Sequence, residues 1–240
     1  LGTLSSAIGK GRLPLWIYND PEVFRLEMER IFARTWIFVA HESEIPGSGD
    51  YVTRRIGQDP FIIVRGDDGR IRALFDSCRH RGASVCKSDK GHAKHFFCQY
   101  HGWTYRTDGA LEAVPNKATA YQNLNLADWS LLQAPRVESY RGLVFAALTA
   151  DVPPLTEYLG DYRWYLDTHL ALTDGGLEVV GVPHRWHIDA DWKSGSENFA
   201  GDSYHTQTLH QSIMRTGLAP RAAAGASGGV NDIHVTECGG

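Results

Sequence analysis

Two Cys/His pairs supply residues that could do chemistry. The first is Cys78-Arg79-His80 and the second is Cys98-Gln99-Tyr100-His101. A glycine follows each pair, in Arg81-Gly82 and in Gly102-Trp103, which predicts tight turns where the backbone can approach a bound group closely. Two thiolates and two imidazoles on such turns predict a metal site with the four ligands Cys78, His80, Cys98 and His101.

The order of the ligands indicates which metal they suit. A structural zinc site with two Cys and two His usually uses a Cys pair followed by a His pair, whereas each pair here is one Cys and one His. Mixed ligation is found in [2Fe–2S] centres where two His replace two Cys on one iron, which raises the reduction potential. The pattern favours this iron–sulfur centre over zinc. Cys78 and Cys98 are predicted to bind one iron, and His80 and His101 the other.

A second group of candidate ligands lies between Glu197 and His210. His205 and His210 are five residues apart. On an ideal helix this is about 140° of rotation, so a shared metal requires a distorted helix. Two His and one carboxylate form the ligand set of non-haem Fe(II) oxygenases, which leaves positions open for O₂. The segment therefore suggests a mononuclear iron site, and a solvated polar helix is the alternative.

Together the two motifs point to a known family. From about Trp16 to Thr216 the chain resembles the large (alpha) subunit of a Rieske-type aromatic ring-hydroxylating dioxygenase, the naphthalene dioxygenase family. The resemblance implies a Rieske cluster on the first four ligands and Fe(II) on His205 and His210. It also implies that Asp202 bridges the two centres and that Asn198 lies in the pocket near the iron. A role for Asp202 as a helix cap is the alternative.

The third iron ligand of the family is an Asp well downstream. After His210 the only carboxylates are Asp232 and Glu237, and neither fits the family's pattern. We therefore expect the third ligand beyond residue 240, in a longer protein of which this chain is a fragment. The two-His site alone is expected to hold iron poorly.

Cys86 separates the chain from respiratory Rieske proteins, which resemble this motif but carry a disulfide between their two cluster loops. The second loop here contains Gln99-Tyr100 and no further Cys, so Cys86 has no local partner. Cys86 and Cys238 are predicted to be free thiols in a reducing cytoplasm.

The composition indicates a folded chain with one large domain or two modest ones. The chain has 240 residues, of which 42% are hydrophobic and 22% charged, and its net charge is −4. Positive and negative side chains are mixed along the chain and form no basic stripe, which argues against nucleic acid as a partner. No apolar run approaches a membrane span and no secretory signal is visible, so we expect a cytoplasmic protein without membrane association.

The hydrophobic pattern and the resemblance divide the chain into three parts. Residues 1–38 are an N-terminal helical segment expected to pack on the catalytic domain. Residues 39–153 form the all-β Rieske [2Fe–2S] domain, predicted as a β-sandwich with two metal-binding loops at its tip. Residues 154–240 form the first part of the catalytic domain, whose helix-backed antiparallel sheet is implied by the resemblance and is incomplete here. The expected fold class is α+β.

Individual elements follow from periodicity and turn residues. Helices are predicted over about 21–34, where Asp20 precedes Pro21, and over 155–170. Strands are predicted over 51–56, 61–64, 71–75, 143–148, 177–182 and 185–190. Turns are predicted at 66–69 and 107–109, and a mobile loop rich in Gly and Ala over 217–230.

The resemblance implies cis-dihydroxylation of an aromatic ring with O₂. Electrons from NADH would arrive through a reductase, and usually a ferredoxin, at the cluster and pass to the mononuclear iron. The chain has no Gly-rich dinucleotide motif, so it is not expected to bind NADH itself. The implied assembly is a homotrimer of alpha subunits, often with a small beta subunit as alpha3beta3.

Two other functional classes remain open. One is a Rieske monooxygenase or demethylase, which uses the same two metal centres with a different product. The other is a non-catalytic Rieske electron carrier, against which the motif at 197–210 argues. The identity of the aromatic substrate does not follow from the sequence.

Overall fold

The structure, a computed structural model, describes residues 2–121, 123–200, 202, 205 and 208–216. Its internal contacts divide the chain into two units, residues 25–184 and residues 1–24 together with 185–240. The loop predicted over 217–230 and the thiol predicted at Cys238 lie outside the described residues.

The larger unit consists mainly of short strands. These are β1 (Ile37–His41), β2 (Asp50–Ile56), β3 (Asp59–Arg65), β4 (Ile71–Phe75), β5 (Lys90–His92), β6 (His95–Phe97), β7 (Thr104–Arg106), β8 (Leu111–Ala113), β9 (Arg136–Tyr140) and β10 (Leu143–Ala147). The described α-helices of both units are α1 (Gly2–Ile8), α2 (Pro21–Glu27), α3 (Lys117–Ala120), α4 (Leu155–Leu159), α5 (Tyr162–Leu170), α6 (Trp192–Ala200) and α7 (Gln211–Arg215).

The described strands form three antiparallel sheets, β1-β10-β9, β4-β3-β2-β5 and β6-β7-β8. The four strands predicted in the first 150 residues are confirmed with small changes at their ends. The predicted turn at 66–69 is closed by a 2.9 Å hydrogen bond from the Gly69 N–H to the Gly66 carbonyl. The Gly109 N–H donates to the Arg106 carbonyl at 2.9 Å and closes the turn between β7 and β8.

Strand β3 is buried on both faces. Phe61 and Ile63 pack in one core with residues of β1 and β10. Ile62 and Val64, which point the other way, pack in a second core with residues of β6 and β7. None of these four side chains is more than 5% exposed. The predicted two-sheet sandwich is therefore three stacked sheets, with β4-β3-β2-β5 in the middle, and this explains the continuous apolar run of β3.

Asp20 caps α2 as the sequence predicts. Its carboxylate accepts hydrogen bonds from the backbone N–H groups of Glu22 at 2.8 Å and Val23 at 3.2 Å, which satisfies donors that a helix start leaves unpaired. The helix then passes into a π-helical turn over Met28–Phe32. The uniform helix predicted over 21–34 is thus correct at its start, while its last turn is wider.

The single helix predicted over 155–170 is wrong. The chain forms α4 and α5, which Gly160 separates with a φ of 48°. A left-handed residue ends an α-helix because its carbonyl no longer points along the axis. Leu155 is fully buried, but Tyr158 and Tyr162 are 46% and 58% exposed, so the predicted apolar stripe is not buried along its length.

The strands predicted over 177–182 and 185–190 are also wrong. Both segments lack regular secondary structure, and no described strand lies beside them to pair their backbone groups. Val180 and Trp186 are 88% and 79% exposed. None of the described helices combines the length and the apolar character that crossing a bilayer requires.

Candidate metal centres

The first cluster loop is held by its own backbone hydrogen bonds. The Gly82 N–H donates to the Cys78 carbonyl at 2.8 Å, and the Cys78 N–H donates to the Ala83 carbonyl at 2.8 Å. These two bonds fold the loop back on itself, so that His80 lies at its tip.

The second loop repeats this arrangement. The Gly102 N–H donates to the Cys98 carbonyl at 2.8 Å, and the Cys98 N–H donates to the Trp103 carbonyl at 2.9 Å. Gly82 and Gly102 have φ angles of 74° and 73°, which glycine adopts with little strain. At Gly102 a side chain would also collide with Pro115, whose Cγ would lie 2.8 Å from an added Cβ.

Asp76 holds the return of the first loop. This carboxylate is 7% exposed and accepts hydrogen bonds from the Ser84 hydroxyl at 2.7 Å and from the N–H groups of Val85 at 2.7 Å and Cys86 at 3.0 Å. The Cys86 thiol donates to the Ser88 carbonyl at 3.4 Å. Cys86 is a free thiol, as predicted.

The four predicted cluster ligands lie as two pairs on the two loops, a pair of histidines and a pair of cysteines. The His80 and His101 rings lie 4.6 Å apart, edge to face. Cys78 and Cys98 are 3% and 1% exposed, and their side chains are close enough to affect each other's ionisation. Both histidines are partly exposed and both cysteines buried, an arrangement that fits a two-iron group with its His-bound iron nearer the surface.

His80 provides a test of whether these residues fit a metal. Its Nδ1 is buried and has no hydrogen-bond partner among the described residues. A buried ring nitrogen without a partner is costly in a protein that binds nothing there, and a metal ligand removes that cost. Burial and the neighbouring His101 lower the pKa of His80, which favours the neutral imidazole that binds a metal.

Cys78 has a partner that the sequence did not reveal. The Tyr105 hydroxyl lies 3.2 Å from its Sγ. Burial raises the pKa of the Cys78 thiol, and the Tyr105 hydroxyl acts in the opposite direction. Tyr105 is 27 residues from Cys78 and meets it in a shared core, so no local sequence signal could have found this contact.

No group of three or more His, Cys, Asp or Glu side chains among the described residues is placed to hold one metal ion. The candidate ligands therefore form pairs and not larger groups. Two protein ligands per iron are what a Rieske centre needs, because inorganic sulfide supplies the remaining ligands.

The second candidate centre lies in the smaller unit. The rings of His205 and His210 approach to 5.0 Å between centroids. Helix α6 ends at Ala200, before them, and the N–H groups of Thr208 and Leu209 donate to the His205 carbonyl at 3.1 and 2.7 Å, the spacing of a single helical turn.

Asp202 lies beside the first of these histidines. Its Oδ2 is 3.1 Å from the Nδ1 of His205, although this buried nitrogen meets no partner at a good hydrogen-bond angle among the described residues. The contact is thus a close approach of the two groups rather than an aligned hydrogen bond. The Asp202 N–H donates to the Glu197 carbonyl at 3.2 Å. Asp202 therefore lies just after the end of α6.

Asn198 and Asp202 line one cavity of about 830 Å³, whose other lining residues are Leu15, Tyr18, Ser194, Glu197 and Ala200. Tyr18 donates a hydrogen bond to the Glu197 carboxylate. This bond raises the pKa of Tyr18 to about 12, so the phenol stays protonated at neutral pH. The carboxylates considered for the third ligand, Asp232 and Glu237, lie outside the described residues.

Comparison with known proteins identifies the larger unit. Residues 35–140 match the Rieske [2Fe-2S] domain family. The chain is 47% identical over 214 residues to the N,N-dimethyl phenylurea N-demethylase subunit alpha of Sphingobium sp. (strain YBL2), covering 89% of this chain and 47% of that protein. It is 44% identical over 209 residues to the biphenyl 2,3-dioxygenase subunit alpha of Rhodococcus jostii (strain RHA1), covering 87% and 45%.

Solved structures of proteins from the same group also match the chain. Naphthalene 1,2-dioxygenase from Rhodococcus sp., bound to indole, superposes with a TM-score of 0.84 at 49% identity, over 90% of this chain and 50% of that one. The chain belongs to the alpha-subunit family of Rieske-type aromatic ring-hydroxylating dioxygenases. The α+β class, with an all-β Rieske domain and a mixed catalytic domain, is confirmed for this family member. The Rieske domain indicates a [2Fe–2S] cluster. The chain spans about half the length of the curated relatives it matches, at 47% and 45%.

Proposed function

We propose that the protein is a terminal oxygenase component that cis-dihydroxylates an aromatic ring. It would use O₂ and two electrons that originate in NADH, so that ring, O₂, NADH and a proton give a cis-diol and NAD⁺. One observation carries the proposal: the chain places a Cys₂His₂ pair of loops in one unit and a separate pair of facing histidines in the other. A one-electron carrier has no use for the second pair.

The proposed cluster ligands are Cys78, His80, Cys98 and His101. Cys78 and Cys98, both buried, would hold one iron in a dry environment. His80 and His101 would hold the other iron at the loop tips, where an electron donor can approach. When bound, the cluster supplies single electrons, and Fe(II) at the second centre supplies O₂ activation.

The proposed residues of the second centre are His205, His210, Asp202 and Asn198. Because Asp202 lies against the Nδ1 of His205, the Nε2 is the nitrogen left for a metal. The Asp202 side chain is 46% exposed, so its other oxygen is accessible to a histidine of a neighbouring subunit. Asn198 lines the cavity with Asp202, where it would contact the substrate.

The remaining assignments extend this proposal. Residues 39–153 would be the Rieske domain, residues 154–240 the first part of the catalytic domain, and residues 1–38 a helical segment packed on it. The partners would be a reductase, a ferredoxin and a small beta subunit, in a homotrimer of alpha subunits or an alpha3beta3 assembly. The location would be the cytoplasm.

A second candidate is a Rieske monooxygenase or demethylase. It is favoured by one specific observation, the 47% identity to an N-demethylase subunit alpha. Oxidative N-demethylation inserts one oxygen atom and releases formaldehyde, whereas dihydroxylation keeps both oxygen atoms of O₂ on the ring. The products therefore separate the two candidates.

The test is product identification under ¹⁸O₂. The purified protein is supplied with NADH, a reductase, a ferredoxin and a panel of aromatic hydrocarbons and N,N-dimethyl phenylureas, with a His205→Ala variant as control. A cis-diol carrying two ¹⁸O atoms from the active protein alone supports the proposal. A phenol with one ¹⁸O, or formaldehyde, supports the second candidate instead. NADH-dependent reduction of the cluster without any oxygenated product would refute both.

A further inference from the structure

Three aromatic rings form a continuous series from the protein surface to a proposed cluster ligand. The indole of Trp129 lies edge to face against the indole of Trp103, with ring centroids 5.7 Å apart. Trp103 in turn stacks on the imidazole of His80, with centroids 5.1 Å apart. Trp129 is 36% exposed and Trp103 is 2% exposed. The series therefore begins in solvent and ends on a residue that is proposed to bind iron.

Trp129 is presented by a short turn, Leu126–Trp129, that its own polar groups stabilise. The Asn125 side chain accepts a hydrogen bond from the Ala127 N–H at 3.3 Å, and the Ser130 hydroxyl donates to the Ala127 carbonyl at 3.3 Å. Leu126 packs against the core that contains the cluster cysteines. The turn is thus fixed from below, and the indole of Trp129 lies between Trp103 and solvent.

The position of Trp129 is more informative than its exposure, because a single exposed apolar side chain is common on a protein surface. Electron transfer between two proteins slows steeply as their redox groups move apart, so a donor must dock close to the cluster. A donor docked on Trp129 would have a packed path of two rings to His80. Tryptophan is also among the side chains that most often anchor a protein interface.

We propose that the surface around Trp129 is the docking site of the electron donor, a small one-electron carrier protein. The inference rests on the proposed function and on its cluster ligands. One electron would tunnel from the reduced carrier through Trp103 and His80, so the carrier loses one electron and the cluster gains one. No ring is itself oxidised, and no bond or proton is transferred. In the proposed assembly a cluster histidine also faces the neighbouring subunit, and the Trp129 surface gives the donor a separate approach.

Trp129→Leu removes the indole and keeps an apolar side chain against Trp103. We expect the dissociation constant of the complex with the carrier to rise about 30-fold, a usual result of truncating a central aromatic anchor. The rate of cluster reduction at limiting carrier should fall by a similar factor. Reduction by dithionite, a small ion that needs no docking surface, should keep its wild-type rate.

Trp164 offers a matched control. It is 66% exposed on α5, and its ring contacts Tyr165 with centroids 4.9 Å apart. Tyr165 is not a proposed ligand. Trp164→Leu therefore removes an exposed indole from the same unit without interrupting the ring series, and the affinity for the carrier is expected to stay at the wild-type value.

The experiment compares the three cluster-loaded proteins with a small [2Fe–2S] ferredoxin, selected as one that reduces the wild-type cluster when NADH and a reductase are present. Isothermal titration calorimetry measures the dissociation constant, and stopped-flow absorbance measures reduction by ferredoxin and by dithionite. Weaker binding by Trp129→Leu alone, with wild-type reduction by dithionite, supports the inference. Unchanged binding by Trp129→Leu, or an equal loss in both variants, overturns it. A wild-type cluster that dithionite reduces but no ferredoxin or reductase reduces would instead refute the electron supply in the proposed function.

If Trp129→Leu does not retain its cluster, hydroxyl-radical footprinting of the wild-type protein replaces it. Mass spectrometry then measures the oxidation of Trp129 and Trp164 with and without the ferredoxin. Protection of Trp129 without protection of Trp164 supports the inference, and unchanged oxidation of Trp129 overturns it.

Discussion

The imidazole of His80 lies parallel to the indole of Trp103, with planes 7° apart and ring centroids 5.1 Å apart. Trp103 is 2% exposed and follows the second loop, whereas His80 is at the tip of the first. The stacked pair thus links the two loops and fixes the orientation in which the His80 ring presents its buried Nδ1.

Trp103→Phe should weaken both the core and the orientation of His80. A smaller ring leaves a cavity beneath the imidazole, so we expect a loss of about 1–3 kcal/mol in the free energy of unfolding. Chemical denaturation followed by circular dichroism measures the loss, and EPR should show altered g values. Trp164→Phe is the control, since Trp164 is 66% exposed and should change stability by less than about 0.5 kcal/mol. Equal effects of the two substitutions would contradict the role assigned to Trp103.

His101→Cys should lower the reduction potential sharply. The substitution replaces a neutral imidazole with a thiolate, and the additional negative charge disfavours the reduced cluster. A redox titration measures the shift. His95→Cys is the matched control, because His95 lies on β6, pairs with Glu112 at 2.7 Å and is not a proposed ligand. Purified protein with zinc in place of iron and acid-labile sulfide would refute the iron–sulfur assignment itself.

His205→Ala and His210→Ala should each abolish oxygenation and iron binding at the second centre while leaving the cluster spectrum intact. The two ligand sets lie in different units, so neither depends on the other for its geometry. Iron analysis combined with visible circular dichroism tests this expectation, with His187→Ala as the control in the same unit. Loss of the cluster together with the second iron would indicate a folding failure or a shared site.

Asp202→Asn should slow electron transfer between the centres. The amide keeps the size of the side chain but loses the charge that orients His205, and it can no longer accept on both of its terminal atoms. We expect both metals to stay bound while reoxidation of the reduced cluster by O₂ and substrate slows by orders of magnitude. Stopped-flow absorbance measures this rate, with Asp191→Asn as the control. Near-normal reoxidation in a fully metallated Asp202→Asn protein would exclude the bridging role.

The contact of Asp68 with Arg72 leads us to expect an acid-dependent loss of stability at the turn before β4. Arg72 binds its carboxylate through two hydrogen bonds of 2.8 and 2.7 Å, and these hold the pKa of Asp68 well below its usual range. The folded state thus favours the ionised form, so the stabilisation is complete above the unfolded pKa of about 3.9 and is lost as the pH falls below it.

Asp68→Asn should remove that part of the pH dependence, which denaturation midpoints measured between pH 3 and 6 would reveal. The effect should be small and decrease with salt, because the side chain is 45% exposed. Asp67→Asn is the control: Asp67 accepts from Ser48 at 2.7 Å in the same turn. A wild-type pH profile in Asp68→Asn would refute the prediction.

The predictions that succeeded depend on local sequence. Gly69 and Gly109 specify turns through their own conformational freedom. The strands that flank these turns could be predicted because each is a short segment whose apolar residues either alternate with polar ones or run continuously.

The predictions that failed required information from distant parts of the chain. The strands expected over 177–182 and 185–190 have suitable composition, but a strand forms only beside a partner. Gly160 was overlooked inside an apolar helical pattern, although a glycine within such a pattern was the available signal. The contact of Tyr105 with Cys78 depends on the packing of distant segments in one core, which spacing alone does not encode.

The register of strand β3 depends on the turns at its two ends. In a strand with one polar face, a slip by one residue would expose apolar side chains to water and is therefore disfavoured. Phe61, Ile62, Ile63 and Val64 are buried whichever way they point, so hydrophobicity does not set the register of this strand. The tight turns at its two ends must set it: Ile56 pairs with Asp59 across Gly57, and Gly66 begins the turn to β4. The alignment of the central sheet, and of the first cluster loop that follows its strand β4, is therefore encoded in glycines outside the cluster loops.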